Sequence, residues 1–239
     1  MTAPDPARAA ILGAIRASLG RGRLGADAEA ELDGRLERHP ASLIPAQGKA
    51  EGPERLARFQ AKAEAVAATV ERLATAEQVP AAVARYLRGR NLGPELTLAP
   101  QEWLQSLPWE AEPMLHLRAA TAIGAERVAV TAAFAGIAET GTLMTLSGPA
   151  HPATLNFLPE HHIVALRASQ VVAAYEDAWT RLRQARGRDG SLDLPRAVNL
   201  ITGPSRTGDI ELTIQLGAHG PRALHILLID DGTGDGEAA

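Results

Sequence analysis

The sequence predicts an α/β domain with a mostly parallel sheet and helices on both faces, preceded by a helical extension. From residue 75 onward, short apolar runs alternate with stretches of helical periodicity, which is the pattern of strand–helix units. Residues 198–202 (VNLIT) and 224–229 (LHILLI) are continuous apolar runs, typical of strands covered on both faces. The first third is alanine-rich, charged and periodic, which places helices ahead of the sheet.

The N-terminal region predicts helices separated by breaks. Residues 6–18 carry apolar side chains at helical spacing after Asp5-Pro6, and residues 27–38 form a second short amphipathic piece. An extended linker is predicted for 39–53, and the longest helix for about 53–74. The apolar stripe of that helix, which we interpret as core packing, consists of Phe59, Ala63, Val66, Val70 and Leu73.

Strands and helices alternate through the rest of the chain. Helices are predicted for 79–87 and 176–185, with one or two helical turns at 101–107. Besides the two apolar runs, strands are predicted at 96–98, 128–131, 143–146 and 163–166. Residues 209–216 alternate apolar and polar side chains, which favours a strand, although Gly208-Asp209 also suits a helix start.

These elements predict three regions along the chain. The first is a helical arm and linker over residues 1–50, and the second is the α/β domain over residues 51–230. The third is a flexible tail over residues 231–239, which are rich in glycine and acidic side chains.

Composition excludes several classes of function. The chain has no cysteine, so disulfides, thiolate zinc sites, cysteine nucleophiles and iron–sulfur clusters held by this chain are excluded. The net charge of −4 gives no general attraction to nucleic acid or to anionic lipid. No apolar run approaches the roughly 20 residues that span a bilayer. The start of the chain lacks a secretory signal pattern, so we expect a cytoplasmic location.

A glycine-rich turn at 136–143 (GIAETGTL) is the first candidate site. Small residues just before a strand let the backbone approach a ligand closely, and the turn presents Glu139, Thr140, Gly141 and Thr142. One interpretation is a ligand pocket at a strand end, with Glu139 as nucleophile or base. The other is a tight turn whose threonine hydroxyls bond the local backbone, and the spacing favours neither.

The second candidate is the loop 201–211 (ITGPSRTGDIE), which follows a predicted strand. Successive backbone N–H groups, two hydroxyls and a guanidinium can form a cradle for a phosphate or carboxylate. In this interpretation the ligand-binding residues are Gly203, Ser205, Arg206, Thr207, Asp209 and Glu211. The two acidic side chains would accept from ribose or amine groups, or would bond Arg206 and cap the turn. The loop matches neither a Walker loop nor a GxGxxG dinucleotide turn.

The histidines predict no metal site. His161 and His162 are adjacent, so on an extended segment they point to opposite faces. Neither a His-x-x-x-His nor a His-Glu-x-x-His pattern occurs. His219 is the stronger functional candidate, because the glycines of 217–221 (GAHGP) leave its imidazole accessible for catalysis. The alternative is that His219 bonds a backbone carbonyl and fixes the loop.

Four motifs in the last half of the chain together resemble the lactate-utilisation (LUD) domain family. They are 138–142 (AETGT), 158–163 (LPEHHI), 203–211 (GPSRTGDIE) and 217–221 (GAHGP), in the order that the family has. Some members carry the same domain with an iron–sulfur cysteine extension. The absence of cysteine favours the small members without that extension.

The resemblance implies a fold related to phosphosugar isomerases and CoA transferases, and a role beside two iron–sulfur proteins in the oxidation of L-lactate to pyruvate. The leading hypothesis is therefore an accessory subunit of that oxidoreductase system. It would hold no cofactor itself and would bind an anionic small molecule. The iron–sulfur clusters would lie on its partner subunits.

Two alternatives stay open at this point. One is a stand-alone isomerase or acyl-CoA enzyme that uses Glu139, by analogy with the glutamate nucleophile of CoA transferases. The other is an assembly scaffold that uses the apolar stripe over 59–73 to hold a partner or a second copy of the chain.

Overall fold

The structure is a computed structural model that describes residues 6–20, 22, 24–40, 43–119, 127–188, 191–207, 215–217 and 219–232. The chain divides into two units, residues 1–42 and residues 43–239. In the first unit, α1 (Pro6–Ser18) and α2 (Ala26–Arg38) confirm the two helices predicted there. The second helix ends where His39 takes a left-handed conformation (φ 45°) and its N–H group donates to the carbonyl of Arg35.

The second unit contains the remaining helices and all the described strands. The helices are α3 (Gly52–Ala65), α4 (Val79–Gly89), α5 (Glu102–Gln105), α6 (Thr154–Phe157) and α7 (Tyr175–Arg186), with short 3-10 turns at Ala46–Lys49, Ala76–Gln78, Trp109–Ala111 and Ala168–Gln170. The strands are β1 (Thr69–Leu73), β2 (Glu95–Leu98), β3 (His116–Ala119), β4 (Val128–Ala132), β5 (Ala135–Ile137), β6 (Thr142–Leu146), β7 (His161–Arg167), β8 (Val171–Val172), β9 (Gly187–Arg188), β10 (Ser191–Leu192), β11 (Val198–Ile201), β12 (Arg206–Thr207), β13 (Gln215–Leu216) and β14 (Ala223–Ile229). No helix in the described ranges is long and apolar enough to cross a membrane.

The large sheet is parallel, which confirms the predicted fold class. Its described strands lie in the order β1-β14-β7-β4-β2-β3, and each pairing between neighbours is parallel. The central strands β4, β7 and β14 are buried along almost their whole length. Their apolar sequences follow from this position, because both faces of a parallel sheet are covered.

The small sheet has the described order β11-β6-β5-β8, with β11, β6 and β5 antiparallel and β8 parallel to β5. The predicted strand at 198–202 is present as β11, but the expectation that both of its faces are covered is wrong. It is an edge strand, and Leu200 retains 44% of its exposure. An antiparallel edge strand can leave one face to solvent, so an apolar run alone does not establish burial on both sides.

Core packing arranges the second unit in layers. The α4 helix covers one face of the large sheet, where Val83 and Ile163 belong to the same apolar cluster. On the opposite face, Phe59 of α3 and Leu143 of β6 form a cluster with Ile226 of β14. The outer face of the small sheet is covered in turn by α7. The large sheet therefore has helical cover on both sides, and the small sheet lies between it and α7.

The predicted helix over 53–74 is wrong in its second half. The helix ends at Ala65, the last residue of α3, because Ala67 takes a left-handed conformation (φ 68°). The N–H group of Ala67 donates to the carbonyl of Glu64, and that of Ala68 donates to the carbonyl of Ala63. This pattern is a Schellman motif, which terminates a helix. Residues 69–73 then pair with five residues of β14. Long-range strand pairing overrides the helical spacing, so the proposed single stripe is divided between a helix and a strand.

Two glycine turns rest against the C-terminal end of α3. Gly141, between β5 and β6, has φ 70°, and a Cβ atom there would lie 2.2 Å from the backbone nitrogen of Ala63. Gly203, after β11, has φ 73°, and a Cβ atom there would lie 2.3 Å from the carbonyl oxygen of Val66. Only glycine accommodates both the left-handed conformation and the close approach. These glycines of the two predicted motifs are therefore required for packing.

We expect Gly141→Ala to lower the free energy of unfolding by about 2–4 kcal/mol, because it combines backbone strain with overpacking. Gly89→Ala is the matched control: Gly89 lies in α4, and a Cβ atom there meets nothing within 4 Å. That control should leave stability unchanged or raise it by up to about 1 kcal/mol. Urea unfolding followed by circular dichroism measures both. Equal effects of the two substitutions would contradict the packing role of Gly141.

Candidate functional site

A cavity of about 300 Å³ lies where the loop between β11 and β12 meets the loop that precedes β14. Ser205 and Arg206 line it from the first loop, and His219 lines it from the second. His162 and Leu224, the second residues of β7 and β14, also line it, as does Phe157 at the end of α6. The predicted binding loop and the predicted accessible histidine therefore border the same cavity.

Two other clefts have a similar size. One of about 370 Å³ lies at the carboxyl ends of β1 and β14 and includes Arg72 and Asp230. The other, of about 310 Å³, lies at the amino end of β2 and includes Arg118 and Arg127. None of the predicted site residues that the structure describes lines either cleft. We therefore place the candidate site in the cavity next to Ser205.

Backbone hydrogen bonds join the two loops at the cavity. The N–H group of Ser205 donates to the carbonyl of Pro221 at 2.8 Å, and the N–H group of Gly217 donates to the carbonyl of Ser205 at 2.9 Å. The antiparallel pair β12–β13 continues this junction. Arg206 is the first residue of β12, and its exposed side chain lies at the mouth of the cavity. The loops thus hold one another in place, and the guanidinium stays accessible.

His162 provides a buried imidazole in the cavity wall. It is the second residue of β7, and its Nε2 atom is 2.8 Å from Oγ1 of Thr131 on β4. Its Nδ1 atom has no hydrogen-bond partner among the described residues. Burial lowers the pKa of His162 to about 3, so the ring is neutral near pH 7. The side chain therefore offers a neutral hydrogen-bonding group and no positive charge.

Four hydroxyl groups connect the AETGT turn to the cavity. Oγ1 of Thr142 is 2.7 Å from Oγ1 of Thr202, which lines the cavity, and 2.7 Å from Oγ1 of Thr140. The hydroxyl of Tyr175, in α7, is 3.0 Å from both Thr140 and Thr142. The structure brings the two predicted motifs together: Thr142 is hydrogen-bonded to Thr140 in its own turn and to Thr202 in the loop after β11.

Glu139 lies in the same turn but not in the described wall of the cavity. Its N–H group donates to the carbonyl of Ala173 at 3.0 Å. Its carboxylate faces the 3-10 turn at 46–49, since a Cβ atom added at Gly48 would lie 3.4 Å from Oε2. The role of Glu139 as nucleophile or base stays a prediction.

The other predicted residues of the 203–211 loop are placed only in part. Thr207 is buried in β12. Asp209 and Glu211 lie outside the described residues, as does most of the segment 209–216, of which the structure describes β13. The predicted roles of Asp209 and Glu211 stay predictions, and so does the strand favoured for that segment.

His161 and His162 point to opposite faces of β7, as predicted for adjacent residues on a strand. On the α4 face, Nδ1 of His161 is 2.9 Å from the hydroxyl of Tyr86, whose ring stacks on His225 with centroids 4.5 Å apart. Within the described ranges, no group of three or more His, Cys, Asp or Glu side chains is arranged to hold a metal ion.

Sequence reasoning did not assign His162, Asn156 or Tyr175 to the site. A histidine directly before the apolar run 163–166 is a signal that could have indicated His162. Asn156 and Tyr175 reach the site because α6 and α7 pack beside it, and no local pattern reports that placement.

The chain is similar to a family of known proteins. A family model described as the LUD domain matches residues 56–229, from α3 to the end of β14. An uncharacterized protein of Neisseria meningitidis is 42% identical over 94 residues, which cover 39% of this chain and 38% of that protein. A protein of Exiguobacterium sp. named Lactate utilization protein C is 32% identical to this chain over 130 residues, which cover 54% of this chain and 53% of that protein. A protein of the same name from Shouchella clausii is 32% identical over 104 residues, which cover 44% of each chain. The chain thus spans about half, or less, of the length of these relatives.

A solved structure supports the fold. The crystal structure of a DUF162 family protein from Deinococcus radiodurans superposes with a TM-score of 0.51. The two chains are 19% identical, and the superposition covers 74% of this chain and 96% of the other. At this level of identity the similarity concerns the α/β architecture and says nothing of a ligand.

We expect the free energy of unfolding to fall as the pH is lowered from about 6.5 towards 4. In the unfolded chain His162 takes up a proton near the ordinary pKa of about 6.5, whereas burial keeps it neutral in the folded protein down to about pH 3. Stability is therefore fully present above the higher pKa and is lost on acidification. Each such histidine contributes up to about 1.4 kcal/mol per pH unit, and His225, whose pKa burial lowers to about 4, adds to the slope.

Urea unfolding at a series of pH values measures this slope. His162→Gln keeps a polar atom near the Nε2 position but cannot be protonated, so its stability should depend less on pH, by about 1 kcal/mol per unit. His116→Gln, at an exposed position, is the matched control. A His162→Gln slope equal to that of the unsubstituted protein would show that His162 is not held neutral.

Proposed function

Because the chain belongs to the LUD domain family, whose model matches residues 56–229, we propose that it takes part in lactate utilisation. Its role would be that of an accessory subunit in a cytoplasmic iron–sulfur system that oxidises L-lactate to pyruvate. The relatives named Lactate utilization protein C, at 32–34% identity over their matched segments, support the lactate role. The chain has no cysteine, so partner subunits would hold the iron–sulfur clusters.

The ligand that we propose for this subunit is an anionic small molecule. The observation that carries the proposal is the cavity itself, with the exposed guanidinium of Arg206 at its mouth beside the hydroxyl of Ser205. A guanidinium presents paired N–H donors that match the two oxygens of a carboxylate. Arg206 is therefore the residue that would bind and orient the acid group.

A binding role is favoured over nucleophilic catalysis by the composition of the cavity wall. None of its described residues is an aspartate or a glutamate, and Glu139 lies elsewhere in the turn. His162 is neutral, and among the described lining residues Arg206 is the one arginine or lysine. The arrangement supports holding an acid in a fixed orientation for partners that carry the redox centres.

We expect Arg206→Ala to weaken binding of the anion by roughly tenfold to a hundredfold, the loss typical of a charge-assisted hydrogen bond. In a bacterium whose own lactate utilization protein C is deleted, the variant should fail to restore growth on L-lactate. Arg88→Ala, on the exposed surface of α4, is the matched control and should restore growth fully. Normal growth with Arg206→Ala would remove the anion-binding role.

The subunit proposal is tested by affinity purification of the tagged protein from lactate-grown cells. We expect cysteine-rich partner polypeptides in fixed ratio, with iron in the purified complex, because the chain lacks ligands for a cluster of its own. The same purification after iron chelation and from glucose-grown cells provides the control. Recovery of a colourless protein containing only copies of this chain would contradict the subunit role.

A further inference from the structure

The cavity changes in character from its mouth to its inner end. Arg206 and His219 are exposed. Phe157 and Leu200 are each 44% exposed. At the inner end, Leu224 is 3% exposed and His162 is fully buried. Charge therefore lies at the mouth, whereas the described residues of the interior carry only uncharged groups, namely apolar side chains, the amide of Asn156 and the neutral imidazole. An acid group placed at the inner end would lose its hydration without gaining a cation.

The volume of the cavity exceeds what lactate needs. At about 300 Å³ it holds roughly ten waters of about 30 Å³ each. Lactate has one carboxylate, one hydroxyl and one methyl group, so if Arg206 binds its carboxylate, most of the apolar interior remains in contact with water. Burial of an apolar group against Leu224 and Phe157 would remove that contact and favour a larger ligand.

The polar atoms at the inner end differ in whether they are already bonded. The side-chain amide of Asn156 donates to Oγ1 of Thr145 at 3.0 Å. Nε2 of His162 is engaged by Thr131, but its Nδ1 has no partner among the described residues. A buried ring nitrogen without a partner is unfavourable, and a hydrogen-bonding group on a ligand would relieve this cost. Because a neutral imidazole nitrogen either donates or accepts according to tautomer, a hydroxyl group suits it in both cases.

We infer that the cavity binds a carboxylate that is larger than lactate and has an apolar body ending in a hydrogen-bonding group. The carboxylate lies at Arg206, the apolar body lies against Leu224 and Phe157, and the terminal polar group meets Nδ1 of His162. This inference rests on the proposed anion-binding function and defines its ligand class. His162 acts in it as a specificity-determining residue that selects among acids of the same charge.

Three probes of equal charge test the inference by isothermal titration calorimetry with the full chain. They are L-lactate, 3-phenyllactate and 3-(4-hydroxyphenyl)lactate, which add first an apolar ring and then a terminal hydroxyl. We expect 3-phenyllactate to bind at least tenfold more tightly than L-lactate, because its ring is buried in the cavity. The hydroxyphenyl acid should bind about fivefold more tightly again, through its contact with His162.

Two substitutions separate the ring nitrogens. His162→Gln keeps a polar atom near Nε2, and with it the contact to Thr131, but removes the one at Nδ1. His162→Asn keeps a polar atom near Nδ1 and removes the one at Nε2. We expect His162→Gln to erase the fivefold difference between the two aromatic acids and to keep the tenfold difference between 3-phenyllactate and L-lactate. His162→Asn should preserve the fivefold difference, and thermal unfolding confirms that both variants are folded.

The outcomes distinguish this inference from the proposed function. If L-lactate and both aromatic acids bind equally, and Arg206→Ala weakens all three, the anion site stands and the larger ligand class is overturned. If the fivefold difference persists in His162→Gln, the role of His162 is overturned. If none of the three acids binds, the proposed anion site fails and the inference fails with it.

Discussion

The contact between two glycine turns and the C-terminal end of α3 holds in place the two turns that carry residues of the candidate site. At Gly141 and at Gly203, a Cβ atom would overlap backbone atoms of α3 or of the residue that follows it. Both turns are held against one helix end, and the antiparallel register of β6 and β11, in which Ile201 pairs with Leu143, brings Thr142 and Thr202, 60 residues apart in the chain, to 2.7 Å. The same contact fixes the start of the loop that carries Arg206 past the cavity. The glycines of the two motifs serve packing first, and the site depends on that packing.

Strand β7 has a histidine on each face of the large sheet. His161 is bonded to the hydroxyl of Tyr86 on the α4 face, whereas Nδ1 of His162, on the cavity face, has no partner among the described residues. Burial lowers the pKa of both rings, so the sheet holds uncharged imidazoles. The neutral hydrogen-bonding group in the cavity wall and the expected loss of stability in acid have the same physical origin. A protonated ring at this depth would lack the counter-charge that makes burial tolerable.

Sequence patterns predicted most of the fold because its central strands are short apolar runs whose burial is uniform, as at 163–166 and 224–229. They failed at 69–73, where pairing with β14 overrides a helical spacing, and no prediction covered β5, which has three residues. In the site, the structure places Ser205, Arg206 and His219, which the motifs named, beside one cavity, and their roles stay predictions. The motifs did not identify His162, because its place in the cavity wall depends on loops that are distant from it in sequence. The relation to phosphosugar isomerases and CoA transferases stays a prediction.

The position of the cavity departs from the rule that open α/β sheets bind ligands beyond the carboxyl ends of their strands. His162 and Leu224 are the second residues of β7 and β14, so this cavity lies at the amino ends. In the cleft at the carboxyl ends, Nε of Arg72 already donates to the side chain of Gln60 at 2.9 Å. The site is instead made by connections, where the chain leaves the small sheet after β11 and returns to the large sheet at β14. Loops of this kind can change their side chains while both sheets stay the same, so the identity of a ligand would depend on loop residues such as Arg206 and would not follow from the fold.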